Sequence, residues 1–121
     1  MESICKLKDL YKALYNFEKK FSEVNGLTIN EGMVLCCLKD GKSKSANELC
    51  DFVGLSNSRV SRIINTVENK GYIMREMGIA DKRQMIFTLT DSGLQKVKEM
   101  QAKEIDFSGF AASLTQLMNK E

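Results

Sequence analysis

Two predicted short helices follow one another closely in the middle of the sequence, and this feature constrains the fold more than any other. Ser45 followed by Glu48 is a capping box, and Gly54 is a natural stop for the helix that it opens. Ser56 opens the next helix, which is predicted to stop at Gly71. Because only a few residues, one of them glycine, join the two helices, the pattern predicts a helix-turn-helix.

Further helices are predicted on both sides of this pair. Residues 4–24 repeat apolar side chains at intervals of three and four, as a helix with one apolar face does. Thr28 with Glu31 forms another capping box, and the apolar run behind it continues to Gly41. In the C-terminal segment, 91–119, a fifth helix is expected to turn Leu94, Val97 and Met100 inward, with Ile105 as a further candidate. A last short helix is predicted from the apolar residues Phe107, Phe110, Leu114, Leu117 and Met118.

Between residues 72 and 89 the periodicity changes from helical to extended. The segments YIMRE and QMIFTL are separated by MGIADKR, and Met85, Phe87 and Leu89 alternate on one side of the second. This pattern predicts a β-hairpin with a long tip. The fold class is therefore mainly α with a small β-hairpin wing, namely a winged helix-turn-helix with about six helices.

Length and composition predict one soluble domain over residues 1–121. Apolar residues make up 43% of the chain and charged residues 28%, and no stretch reaches the roughly 18 apolar residues of a membrane span. The charged N-terminus, MESICKLKDLYK, does not resemble a signal peptide, so we expect a cytoplasmic protein without a membrane partner. The net charge of +2 is too small to indicate nucleic-acid binding, so that argument depends on where the charges lie.

The helix predicted over residues 56–70 separates into two chemically different faces. Val60, Ile63, Ile64 and Val67 fall on one arc of about 100° and are expected to face the core. The opposite face has no carboxylate at its centre and carries Ser58, Arg62, Asn65 and Asn69, flanked by Arg59, Ser61 and Thr66. Hydroxyl, amide and guanidinium groups are the types that bind base edges and phosphates. We therefore predict that this helix contacts duplex DNA.

The hairpin strengthens this hypothesis because its tip is basic. An arginine there can enter the minor groove, and Asp81 can orient it through a salt bridge. The residues predicted to contact DNA are Ser45, Ser56, Asn57, Ser58, Arg59, Ser61, Arg62, Asn65, Arg75, Asp81, Lys82 and Arg83.

The order of these motifs resembles the MarR family of bacterial transcription regulators. The matching segments are LTINEGMVLCCL, SANELCDFVGLSNSRVSRIINTVENKGYIMRE, ADKR and FTLTDSG. The resemblance implies a homodimer that intertwines through helices in 4–24 and 91–119, with residues 28–90 as the DNA-binding lobe. It also implies that the fourth helix enters the major groove, that Asp81 and Arg83 match the wing motif, and that repression of a pseudo-palindromic operator is the default. Small-molecule effectors of such regulators often bind where the dimer helices meet the DNA-binding lobe.

Other functions remain as alternatives. A winged helix can serve as a protein-interaction module without DNA binding, but that role predicts an apolar recognition face. Enzymatic activity is not expected, because the chain has no histidine, no Gly-rich phosphate loop and no evident nucleophile with a base. No cofactor is expected either. No metal site is predicted, since Cys36 and Cys37 point about 100° apart on a helix.

The four cysteines, at positions 5, 36, 37 and 50, lack C-x-x-C spacing and do not suggest a disulfide scaffold. Cys5 is a candidate redox sensor, because some members of the resembled family sense peroxides through a cysteine in that region. The plainer interpretation is a partly buried cysteine at a dimer interface, since reactivity requires a lowered pKa that sequence does not reveal.

Overall fold

The computed structural model describes residues 1–78, 83–103 and 108–119. Within them, six helices and three strands follow in the order α1 Glu2–Asn25, α2 Ile29–Cys37, β1 Lys44–Ser45, α3 Ala46–Val53, α4 Asn57–Asn69, β2 Ile73–Met77, β3 Met85–Leu89, α5 Asp91–Ala102 and α6 Ser108–Met118. The prediction of a mainly helical fold with a small β wing is confirmed.

The chain forms two compact units. The first comprises Met1–Thr28 with Lys103–Glu121, and the second comprises Ile29–Ala102. The sequence predicted one domain and grouped residues 91–119 with the terminal helices. In the structure, α5 belongs to the second unit, where it packs against α2 and β3. The assignment of 4–24 and 91–119 to dimerisation stays a prediction.

In the first unit, α1 packs against α6. The left-handed conformation of Gly26, with φ of 69°, ends α1, and its N–H donates to the carbonyl of Ser22 at 2.8 Å. Helix α1 spans 24 residues, slightly more than the predicted range of 4–24. Several large apolar side chains of this unit are exposed in the isolated chain, among them Ile4, Tyr11 and Tyr15 on α1.

The second unit has an aliphatic core to which α2, α3 and α4 each contribute. Its fully buried side chains include Val34, Leu35, Leu38, Leu49, Val60 and Val67. The capping box of α3 is present as predicted, since Ser45 Oγ accepts from the N–H of Glu48 while Glu48 Oε1 accepts from the N–H of Ser45. Gly54, with φ of 80°, ends α3.

The sheet has one strand more than the sequence predicted. The two-residue strand β1 pairs with β3, so the antiparallel order is β1-β3-β2. In the hairpin, Ile73 pairs with Leu89, Arg75 with Phe87, and Met77 with Met85, so these pairs share one face. Such a short strand has no alternation of its own and escaped detection for that reason.

Two local predictions were wrong. Helix α2 ends at Cys37 instead of continuing to Gly41, because the N–H groups of Leu38 and Lys39 donate to carbonyls only three residues back. Leu94 was expected to face inward, but it is 43% exposed, and the buried residues of α5 are Gly93 and Val97. No helix in the described ranges is long and apolar enough to cross a membrane.

Candidate nucleic-acid interface

The first turn of α4 presents backbone donors and hydroxyl groups to solvent. Ser56 is the N-cap, and its Oγ accepts from the N–H of Arg59 at 3.4 Å. Asn57 and Ser58 follow on the exposed surface, and no acidic residue lies in this turn. Since the positive end of the helix dipole also lies here, the turn suits a phosphate group.

The core fixes the direction in which the rest of α4 faces. Val60, Ile64 and Val67 are buried, and Ile63 is half-buried. The predicted inward face is therefore confirmed. Because a helix is rigid, burial of this face holds the opposite face towards solvent.

Two arginines stand on that exposed face close to the helix start. Arg59, Ser61 and Arg62 are all exposed, and among the described residues neither guanidinium forms an ion pair or a side-chain hydrogen bond. Thr66 is turned to its own helix, because its hydroxyl donates to the carbonyl of Arg62 at 3.0 Å. The two guanidinium groups are thus available to an anion.

A cluster of side chains joins the second half of α4 to the hairpin. Arg75 donates from Nε to both carboxylate oxygens of Glu68, at 3.0 and 3.2 Å, and from Nη2 to Glu68 Oε1 at 2.8 Å. The same Nη2 donates to Oδ1 of Asn65 at 3.1 Å. The guanidinium also lies over the ring of Phe87, 5.4 Å from its centroid. Hydrogen bonding to Glu68 raises the pKa of Arg75, so this group is a permanent cation.

Ser45 and Arg75 differ from the other predicted contact residues in that their polar groups already have partners. Ser45 is buried, and its hydroxyl caps α3. Arg75 lies in the middle of β2, opposite Phe87.

Strand β2 of the hairpin packs against α4. After β2, the N–H of Gly78 donates to the carbonyl of Gln84 at 2.7 Å, which continues the pairing towards the tip. Arg83 is exposed. Asp81 and Lys82, predicted as wing contacts, lie outside the described residues.

The cysteines occupy separate surroundings. Cys5 is exposed on α1, whereas Cys36, Cys37 and Cys50 are half-buried. Burial raises the pKa of the Cys37 thiol, an effect that the nearby ammonium of Lys44 partly opposes. Within the part of the chain that the structure describes, no three His, Cys, Asp or Glu side chains gather as metal ligands.

Part of the chain matches a known protein family. Residues 27–85, which include α2 through β2, match the MarR family. Over these residues, the chain is similar to the MarR family. Its relatives include the helix-turn-helix-type transcriptional regulator YdcH of Bacillus subtilis, which is 32% identical over 76 residues. That match covers 61% of this chain and 52% of YdcH, so the chain matches about half the length of this relative.

Solved structures of MarR-family proteins share the fold. AbsC, a MarR-family transcriptional regulator from Streptomyces coelicolor, is 25% identical, with a TM-score of 0.71 and coverage of 92% of this chain and 72% of AbsC. A mutant of Escherichia coli MarR, crystallised with operator DNA, also has a TM-score of 0.71; the match covers 88% of this chain and 77% of that one. At 16% identity, the second likeness shows the fold alone.

Two members of the cluster around Arg75, namely Glu68 and Phe87, were not predicted from the sequence as site residues. Phe87 was predicted only to share one side of its strand with Met85 and Leu89, and Glu68 was not among the predicted contact residues. The contact between Glu68 and Arg75 depends on the tertiary fold, because the two residues lie on different elements on either side of the turn at Gly71. The only sequence signal was that Glu68 is the single acid of its helix.

Proposed function

We propose that this chain is a DNA-binding transcription regulator that represses genes by occupying a pseudo-palindromic duplex site as a homodimer. The observation that carries the proposal is the exposed half of α4 at its N-terminus. There Arg59 and Arg62 stand without partners among the described residues, in a turn without acids, next to the N-cap Ser56.

The dimensions of α4 suit the major groove. Its 13 residues span about 20 Å at 1.5 Å per residue. The groove of B-DNA is about 12 Å wide and admits one helix. Ser56, Asn57 and the free N–H groups of the first turn then bind phosphate, while Ser58, Ser61 and Arg62 face base edges.

The wing supplies a second contact along the duplex. In the proposed complex Arg83, together with Lys82 and Asp81, follows the adjacent minor groove. A protein of the same fold, the Escherichia coli MarR mutant, was crystallised with operator DNA, which supports duplex DNA as the partner.

The homodimer is supported by the apolar surface of the first unit. Tyr11 is 67% exposed, and Ile4 and Tyr15, at intervals of seven and four residues from it, are exposed on the same stripe of α1. Met118 and Leu114 of α6 are exposed as well. Exposed apolar side chains of this number are costly in water, and we expect a second copy to cover them. Two copies place their recognition helices about one duplex turn, roughly 34 Å, apart.

DNA binding is tested by fluorescence anisotropy with duplexes from the region upstream of the protein's own gene, over a series of salt concentrations. We expect Arg62→Ala and Arg83→Ala each to weaken binding and to lower the slope of log K against log salt by about one unit or less. The control is Lys20→Ala, which removes the same charge from the exposed polar side of α1. Unchanged affinity in both arginine variants would refute the site, and a protein that binds no duplex would favour an interaction module instead.

An oxidant signal through Cys5 is tested on the same duplex. The exposed thiol of Cys5 is accessible to peroxide in the isolated chain. If it is the sensor, peroxide releases the wild type from DNA but leaves Cys5→Ser bound. Release of both proteins would exclude Cys5.

A further inference from the structure

The amide of Asn65 is held in one orientation. Arg75 Nη2 donates to Oδ1 of Asn65 at 3.1 Å. A guanidinium has donors and no acceptor, so the amide atom that faces it must be the oxygen. The amide nitrogen, with its two N–H donors, therefore lies on the other side of the side chain, and Asn65 is exposed on the outer face of α4.

Arg75 is itself fixed from two directions. Its Nε and Nη2 atoms bind the carboxylate of Glu68 in a forked arrangement at 2.8–3.2 Å. Its plane rests over the ring of Phe87, the residue paired with it on β3. A bidentate pair with an aromatic support restricts rotation more than a single ion pair does. The guanidinium is therefore a rigid support between the wing and α4.

From this geometry we propose that Asn65 contacts DNA through its Nδ2 donors only, and that Arg75 is a positioning residue that enforces this choice. The inference rests on the proposed DNA binding. It identifies the partner of Asn65 by chemistry as a hydrogen-bond acceptor of the duplex, either a base atom in the major groove or a phosphate oxygen.

The orientation has a consequence for which bases are accepted. Guanine presents two acceptors in the major groove, N7 and O6, whereas adenine presents the N7 acceptor and the N6 donor. The familiar pairing of asparagine with adenine uses the amide oxygen and nitrogen together. Because Oδ1 of Asn65 faces Arg75, that pairing is disfavoured, and an acceptor-only edge is preferred.

The proposal is tested by selecting binding sites from a random duplex pool with the wild type, Asn65→Asp and Arg75→Lys. Aspartate retains a partner for Arg75 but offers no donor to DNA, so we expect about 10-fold weaker binding to the selected site, the equivalent of roughly one hydrogen bond. Asn16→Asp is the matched control, because it makes the same chemical change at an exposed position of α1. Asn16→Asp should select the same site as the wild type. Its affinity should fall only as far as one added negative charge lowers it, an effect that Asn65→Asp shares.

Arg75→Lys separates positioning from direct contact. Lysine keeps the charge but cannot bridge Glu68 and Asn65 with a planar fork. We expect Arg75→Lys to keep the salt slope of the wild type. If Asn65 binds a base, the variant should now accept adenine at the Asn65-dependent position. If Asn65 binds a phosphate, the affinity of the variant should fall about as much as that of Asn65→Asp. Circular dichroism and thermal melting verify that both variants fold.

Modified duplexes identify the acceptor. If it belongs to a base, an analogue that lacks its major-groove acceptors weakens the wild type but not Asn65→Asp; if it is a phosphate, a single methylphosphonate has that effect. The inference is overturned, while DNA binding stands, if the wild type requires adenine at the Asn65-dependent position. It is also overturned if both variants keep the site and the affinity of the wild type. A wild type that binds no duplex would overturn both.

Discussion

The ammonium nitrogen of Lys70 lies 3.0 Å from Oε1 of Glu31 and so joins the C-terminal cap of α4 to α2. The two partners differ in burial, since the carboxylate side chain is 10% exposed and the lysine side chain 37%. The pair connects the proposed recognition helix to the core of the second unit. Its asymmetry predicts which partner matters more for stability.

Lys70→Met should destabilise the fold more than Glu31→Gln does. Loss of the lysine removes a donor from a buried carboxylate, at a cost of about 1–3 kcal/mol, whereas loss of the carboxylate leaves a lysine that water can solvate. Urea unfolding measures both values. Lys20→Met, at an exposed position on α1, is the control and should stay within about 0.5 kcal/mol of the wild type. Equal costs for the two partner variants would contradict the argument.

Ser45→Ala should destabilise α3. The variant removes the N-cap hydroxyl that accepts from the N–H of Glu48, which costs about 1 kcal/mol. The neighbouring variant Ser43→Ala, at an exposed position before β1, should have little effect on the urea midpoint. A midpoint for Ser45→Ala equal to that of Ser43→Ala would show that the cap contributes nothing.

Stability should fall in acid partly through Glu48. The backbone N–H of Ser45 and then its side chain lower the pKa of the Glu48 carboxyl by hydrogen bonding to it. Because the folded pKa lies below the ordinary value, this contribution is present above the unfolded pKa and is lost as pH falls through the folded pKa. Glu48→Gln keeps an acceptor for Ser45 but does not titrate. Urea titrations between neutral and acidic pH should therefore show a shallower decline for Glu48→Gln than for the wild type.

Gly93→Ala should be strongly destabilising. A Cβ at this position would overlap the carbonyl oxygen of Tyr72 and lie 3.0 Å from a methyl carbon of Leu89. Relief of that overlap requires α5 to move away from the hairpin, at a cost of about 1–3 kcal/mol or more. The control is Gly109→Ala on α6, where a Cβ would meet nothing within 4 Å. Thermal melting should show Gly93→Ala well below the wild type, and Gly109→Ala should be neutral or up to about 1 kcal/mol more stable.

Local signals in the sequence predicted most of the helical framework. The Ser45 capping box, the Ser56 N-cap and the glycine stops at Gly54 and Gly71 all depend on interactions within a few residues, so they can be recognised without the fold. Helical periodicity likewise identified the buried face of α4. The strand β1 was missed because two residues carry no periodicity, and α2 was predicted too long because its tightened last turn resembles a continued helix.

The outward chemistry of α4 was determined by the sequence alone, because burying Val60, Ile64 and Val67 forces Arg59, Arg62 and Asn65 to face solvent. Which of these groups remain available was decided by the tertiary structure. The turn after α4 returns β2 along the helix, so Arg75 reaches Glu68 seven positions and Asn65 ten positions back. Contacts between separate elements depend on how their backbones pack, and no periodicity within either element encodes them. Helical spacing could thus identify the polar face of α4, but only the folded hairpin shows that Arg75 of β2 is bound to that face.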